Sequence, residues 1–266
     1  MKKILFPVLF VLVVNAQANN VDTVVDVNDV KTAVSPDNRV VLLELYTSEG
    51  CSSCPPADRF LSELKAAGIS DKQLIPLAFH VTYWDYIGWK DQFANKQYDE
   101  RQRELAHKKN ESTVYTPQFV MSGDNYRSYV TFSEDVNKLA KQKSTVDLVL
   151  TAHLLPAQKS TDKLQLNLTT DISASKIKDV GFYLVIIENN LASDVNDGEN
   201  EGEQLHHDYV VRQFLGPFFQ SKPKNQRSRE QIVVLQPEWK RDDLSIVAFA
   251  ENPHTGEVLQ AVRINY

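Results

Sequence analysis

The sequence predicts an α/β domain followed by an all-β domain, and three observations predict it. Residues 39–140 alternate strand-like apolar runs with helix-like runs. Beyond about residue 143, strand-like runs follow one another with no convincing helix between them. The chain's two cysteines stand together as Cys51-Ser52-Ser53-Cys54, where a strand-like run gives way to a helix-like one.

The first region can be justified element by element. Val40 to Tyr46 reads as an apolar strand interrupted by Glu44. Ala57 to Ala67 reads as an amphipathic helix, with Phe60, Leu61 and Leu64 on one face and Gly68 as its stop. Leu74 to Val81 is a second buried-type strand, and the polar run Lys90 to Asn110 is a long surface helix. Phe119 to Met121, a turn at Ser122-Gly123-Asp124 and Tyr126 to Val130 make a hairpin. A last helix spans Ser133 to Lys141, with Ser133 as its N-cap. Strand, helix, strand, helix, hairpin, helix is a thioredoxin-like order, and residues 39–143 are read as a thioredoxin-like domain.

Residues 144–266 are read as a β-sandwich-like domain, set off by the linker Lys141-Gln142-Lys143-Ser144. Leu164, Leu166 and Leu168 alternate with polar residues, the period of a half-buried strand. Further strands are expected at Val146 to Leu154, Val180 to Ile187, Tyr209 to Phe214, Gln231 to Leu235, Ser245 to Ala250 and Val258 to Ile264. Short strands without helices suit an antiparallel sandwich.

The start of the chain reads as an export signal over residues 1–18. Met1-Lys2-Lys3 is basic, Ile4 to Val14 is apolar, and Ala16-Gln17-Ala18 is a small-x-small cleavage sequence. The apolar run is too short to span a membrane, so the mature protein is expected to be secreted or periplasmic, with no membrane insertion. The formal net charge of −6 becomes −8 once Lys2 and Lys3 are lost. That balance argues against DNA, RNA and anionic membranes as partners.

Chemistry is expected at Cys51 and Cys54. A Cys-x-x-Cys between strand and helix is the sequence form of a redox site, able to close as a disulfide and to attack other disulfides as a thiolate. A clip around so short a loop stabilises weakly, which favours redox use over a structural role. Cys51 is the candidate nucleophile and Cys54 the resolving thiol. Pro55-Pro56, however, suits a first helical turn and moves the helix start toward Cys54, which weakens the dipole argument for a Cys51 thiolate. Glu44, alone in an apolar strand, is the candidate proton acceptor, unless it sits at a strand edge in water or pairs with a base. Thr116-Pro117, at the start of a strand, is the candidate cis peptide and platform for a partner chain.

The run Glu44-Leu45-Tyr46-Thr47-Ser48-Glu49-Gly50-Cys51-Ser52-Ser53-Cys54-Pro55-Pro56-Ala57-Asp58 closely resembles the signature of the bacterial domain of unknown function 1223 proteins. So do the run from His80 to Asp91, Tyr115-Thr116-Pro117-Gln118, and Gly198-Glu199-Asn200 with Gly202, Leu205, His207 and Val210-Val211-Arg212. The resemblance implies an exported protein of thioredoxin-like fold. It supplies no reaction, because the family's activity is unassigned.

The aromatic run is read either as a wall beside the cysteines, with Tyr83, Trp84 and Trp89 gripping a partner, or as a packed loop core. His207 and Arg212 either touch a substrate or support the domain interface. Asp194 to Asp208 carries six acids without calcium-loop spacing and is expected as a solvated loop. No cofactor and no metal site is expected. Two thiolates with His80 could hold copper(I) or zinc, but there is no second cysteine pair and no methionine cluster. The expected function is thiol–disulfide exchange with exported protein thiols or disulfides and an unidentified redox partner. The alternatives are a non-catalytic binding protein with a static disulfide and, behind it, a copper or zinc chaperone.

Overall fold

The structure, a computed structural model, describes residues 30–155, 157 and 161–266. The expected export signal over residues 1–18 lies outside the described residues. Among the described residues no helix is long and apolar enough to cross a membrane.

The first half runs β1 (Val30–Val34), β2 (Val41–Thr47), α1 (Pro55–Glu63), β3 (Leu74–His80), α2 (Lys96–Lys108), β4 (Gln118–Met121), β5 (Asp124–Tyr126) and α3 (Phe132–Ala140). The second half has no α-helix among its described residues, and apart from a 3-10 turn at Arg241–Asp243 its elements are strands: β6 (Asp147–Leu155), β7 (Lys163–Asp171), β8 (Asp179–Glu188), β9 (Leu191–Asp194), β10 (Gln204–His207), β11 (Val210–Ser221), β12 (Gln226–Val234), β13 (Leu244–Glu251) and β14 (Val258–Asn265). Helix α2 starts later than the polar run suggests, because the Asn95 side chain caps it by accepting from the Gln97 amide at 2.9 Å. Helix α3 starts earlier than expected, with Thr131 rather than Ser133 at the N-cap position.

The result is a mixed α/β protein with a large mixed sheet and an antiparallel one. The large sheet has eight strands in the order β14-β13-β8-β11-β3-β2-β4-β5, so it passes straight through the position of the expected linker. Its joint is the parallel pairing of β3 with β11, where Val210 stands opposite Ala78 and the Ala78 amide donates to the Tyr209 carbonyl at 2.8 Å. The antiparallel sheet has the order β1-β6-β7-β12 and takes its edge strand β1 from ahead of the expected first domain. Strands β9 and β10 form a separate hairpin.

Alternation within strands explains the layering. In β7, Leu164, Leu166 and Leu168 face a core shared with Leu148, Leu150, Ile246, Ala248 and Leu184. Each such leucine stabilises the fold by about 1.5–3 kcal/mol when fully buried. The intervening residues of β8 and β13, Tyr183, Val185, Val247 and Phe249, point the other way, into a core with β2, β3 and the helices. The middle of the large sheet is therefore covered on both sides, and its strands read as continuous apolar runs.

Candidate functional site

The cysteine loop leaves the C-terminal end of β2. Cys51 and Cys54 form a disulfide with Cα atoms 5.4 Å apart. Cys54 is the residue immediately before α1, and Pro55 and Pro56 occupy the helix's first positions, where no amide donor is needed. Cys54, rather than Cys51, therefore sits at the helix start. Both sulfur-bearing residues are buried, at 1% and 0% exposure, while Ser52 and Ser53 between them face solvent. The Ser53 hydroxyl lies 3.3 Å from Cys51 Sγ.

Two neighbours frame the loop. Thr116–Pro117 is a cis peptide. Gln118 pairs with Tyr46, which sets that peptide beside the end of β2 from which the cysteine loop departs. Trp84 joins the two: its indole N–H donates to Thr116 Oγ1 at 2.6 Å, and a Cβ added at Gly50 would lie 3.2 Å from the Trp84 Cβ. Tyr83 donates its hydroxyl to Gln102, whose amide in turn donates to the Tyr115 carbonyl and to Gln118. Beyond Pro117 lies an open groove of about 410 Å³, lined by Tyr115, Pro117, Phe119, Tyr126, Arg127 and Tyr129.

The second neighbour is the loop between β9 and β10. Asn200, itself buried, donates its amide to the carbonyls of Glu49 at 2.8 Å and Cys51 at 3.2 Å. The Ser52 amide donates to Glu199 at 3.0 Å, and the Ser52 contacts hold the Glu199 carboxyl below its ordinary range. The acidic stretch expected as a solvated loop is thus a hairpin clamped onto the cysteine loop.

Behind the disulfide lies a group of buried acids and histidines. Asp58 is one helical turn beyond Cys54, its amide donating to the Cys54 carbonyl and its carboxylate accepting from Thr47 Oγ1 at 2.8 Å. His207, from β10, places Nδ1 3.6 Å from Asp58 and Nε2 3.4 Å from Glu49. Trp89 donates its indole N–H to the other Glu49 oxygen at 2.7 Å. His80, closing β3, donates Nδ1–H to Asp91 at 2.7 Å and meets the His207 ring edge-on at 4.8 Å. Burial opposes an imidazolium at His207, yet Asp58 and Glu49 outweigh it and raise its pKa to about 10. Burial likewise opposes the Asp91 carboxylate, and His80 with the Glu49 and Phe93 amides outweighs it and holds that carboxyl below its usual range.

Glu44 occupies a different setting from this group. Tyr46 donates its hydroxyl to it at 2.7 Å, and Arg101 grips it through Nε at 3.2 Å and Nη2 at 2.9 Å. Arg101 also pairs with Glu251 at 2.6 Å, and Lys108 holds the other Glu251 oxygen at 2.8 Å. Arg212 pairs with Glu188 at 3.4 Å and lies over the Phe93 and Trp239 rings, one ring behind His207. Sequence reasoning did not assemble Asp58, His80, His207, Glu49 and Asp91, which come from three separate segments. The nearest signal was that all of them fall inside the matched motifs.

Comparison with known proteins agrees with this picture. No curated protein matches the chain. HBP35 of Porphyromonas gingivalis is similar in structure, with a TM-score of 0.66 and 13% identity over 87% of this chain and 76% of that one. Protein AGR_C_4864 from Agrobacterium tumefaciens, a crystal structure, is similar with a TM-score of 0.58 and 20% identity over 87% of this chain and 97% of that one. At such identities the likeness shows fold alone. The model of the family described as protein of unknown function (DUF1223) matches residues 42–251, a span that takes in the cysteine loop, the cis peptide and the clamping hairpin. The chain belongs to the DUF1223 family.

Proposed function

We propose that this DUF1223 protein is an exported thiol–disulfide exchange protein, built on a thioredoxin-like frame over residues 39–143 with a sandwich-like partner region over 144–266. The observation that carries the reading is the Cys51–Cys54 disulfide closed at the start of α1, with a cis X-Pro strand start alongside it. In the reducing direction, the Cys51 thiolate attacks a partner's disulfide, forming a mixed disulfide and expelling one partner thiolate. Cys54 then attacks Cys51, releasing the partner's second thiol and closing the internal disulfide. Two electrons and two protons pass to the partner, and a thiol-bearing redox partner returns them. In the oxidising direction the same steps run backward. The groove beside Pro117 suits an extended partner chain, with Trp84 holding the Thr116 side of the platform. Glu44 has no part in this scheme, because Arg101 neutralises it.

A second reading rests on a specific observation. Cys51 is 1% exposed beneath the Asn200 clamp, which suits a binding protein whose disulfide is static. Equilibration against glutathione, with alkylation of free thiols, separates the two. A potential among the dithiol oxidoreductases, with exchange in the folded state, supports the first reading. A potential below about −300 mV, or exchange only after unfolding, establishes the second.

A further inference from the structure

The geometry points to a divalent transition-metal site of the zinc class formed by Asp58, His80 and His207, behind the disulfide and separate from its redox chemistry. One ligand atom from each residue lies within 4.8 Å of those of the other two, and all three residues are buried. Two imidazoles and a carboxylate are a donor set that zinc and its neighbours accept.

What distinguishes this group from an ordinary buried ion pair is its supporting shell. His80 spends Nδ1 on Asp91, which leaves Nε2 fully buried and without a hydrogen-bond partner. A histidine whose first nitrogen is held by a carboxylate and whose second is free is the arrangement by which proteins orient a metal-ligating imidazole. His207 has Glu49 3.4 Å from Nε2 and Asp58 3.6 Å from Nδ1, and in this geometry neither nitrogen makes a hydrogen bond. Glu49 is itself fixed by Trp89, and Asp58 by Thr47. His80 and Asp58 thus each have one atom held by a neighbour and one donor atom left over, and His207 turns its Nδ1 toward Asp58. Buried polar atoms without partners are uncommon in folded proteins, and a cation between them accounts for His80 Nε2 and His207 Nδ1 together. The 3.6 Å from Asp58 Oδ1 to His207 Nδ1 is already close to the separation of two donors on one tetrahedral zinc ion, about 3.4 Å for bonds of about 2.0–2.1 Å. The chain positions of the ligands fit a fold-dependent site: α1, the end of β3 and the end of β10 meet only in the complete protein.

The test uses the whole mature chain with its disulfide closed, so that no thiolate competes. After stripping with chelator, Zn(II) alone is added and bound metal is counted by equilibrium dialysis. One ion per chain is expected, with Co(II) giving the intense visible bands of a tetrahedral site. Asp58→Asn and His80→Gln are each expected to weaken Zn(II) binding at least tenfold, and Asp91→Asn, which only orients His80, by about 10–100-fold. His254→Gln, on an exposed loop, leaves binding unchanged. Should a ligand variant fail to fold, the unaltered chain still decides: Zn(II) shifts the ring resonances of His80 and His207, and not that of His254. No stoichiometric uptake, uptake undiminished in folded Asp58→Asn and His80→Gln, or ring shifts elsewhere would each overturn the proposal and leave a cluster that holds only protons.

Discussion

Replacing Arg101 with methionine removes the single cation that two buried acids share. Arg101 is 3% exposed, Glu44 1% and Glu251 0%. The guanidinium makes two bonds to Glu44 and one close pair with Glu251, and it lies over the rings of Tyr183, Phe214 and Phe249. Methionine keeps most of the packing and none of the charge. Breaking a buried pair by removing one partner costs about 3–5 kcal/mol, chiefly because the other charge is left desolvated. Tyr46 still donates to Glu44 and Lys108 still pairs with Glu251, which puts the expected loss near the lower end, about 3 kcal/mol. For a chain of this size that is a fall in melting temperature of about 6–12 °C.

Urea unfolding at pH 7 measures the loss. The combined variant Arg101→Met, Glu44→Gln, Glu251→Gln should recover much of the stability, because no buried charge remains. A loss under about 1 kcal/mol, or a combined variant no more stable than Arg101→Met alone, would refute the reasoning.

Asn200→Ala releases two buried carbonyls of the cysteine loop; a loss of about 2 kcal/mol is expected, together with faster reduction of Cys51–Cys54 by dithiothreitol in the folded state. An unchanged rate would show that the β9–β10 loop does not guard the disulfide. Gly123 has φ +95°, and a Cβ there would sit 2.0 Å from the Gly256 carbonyl oxygen, so Gly123→Ala should cost about 2 kcal/mol or more in thermal melts. A melting temperature unaltered by that change would contradict the close approach of the two turns. In metal-stripped protein, the stabilisation from His207 is fully present below its unfolded pKa near 6.5 and is lost as pH rises through about 10. Stability should therefore fall between pH 7 and 10, by about 3 kcal/mol, and His207→Gln should flatten that fall; a slope that survives the substitution assigns it to other groups.

What the sequence made legible was local. The Cys-x-x-Cys at a strand–helix junction, the helix start at Pro55, the candidate cis peptide before Gln118 and the alternation of Leu164, Leu166 and Leu168 each depend on residues within one element or one turn. The rest depends on residues far apart. Nothing in β2 announces that Glu44 meets Arg101, 57 positions later, and an isolated acid in an apolar strand reads equally well as a proton carrier. The acid-rich stretch from Asp194 to Asp208 has the composition of a solvated loop because most of its side chains do face water; two residues, Glu199 and Asn200, turn it into a clamp. Strand pairing across the expected linker was hidden for the same reason: β11 reads as a strand without revealing that its neighbour is β3.

Those distant contacts make the candidate site a property of the whole chain. Residues 39–143 hold both cysteines, the cis peptide, Trp84, Asp58 and His80. His207, Glu199 and Asn200 arrive on a hairpin whose place is set where β11 joins β3, by the Val210–Ala78 pairing and by Tyr98 donating its hydroxyl to the Val211 carbonyl at 2.9 Å. Without that hairpin, the cysteine loop would lose its clamp, and Asp58 and Glu49 would lose the imidazole between them. Asp91 would keep His80, while Glu49 and Asp58 would be left without an imidazole, a cost that water entry would relieve by opening the loop. The first half could still close its disulfide, since that needs only a turn of chain. A buried disulfide backed by a histidine–carboxylate group requires the second half, which is a physical reason for the cysteine-bearing half to share a sheet with an otherwise all-β region.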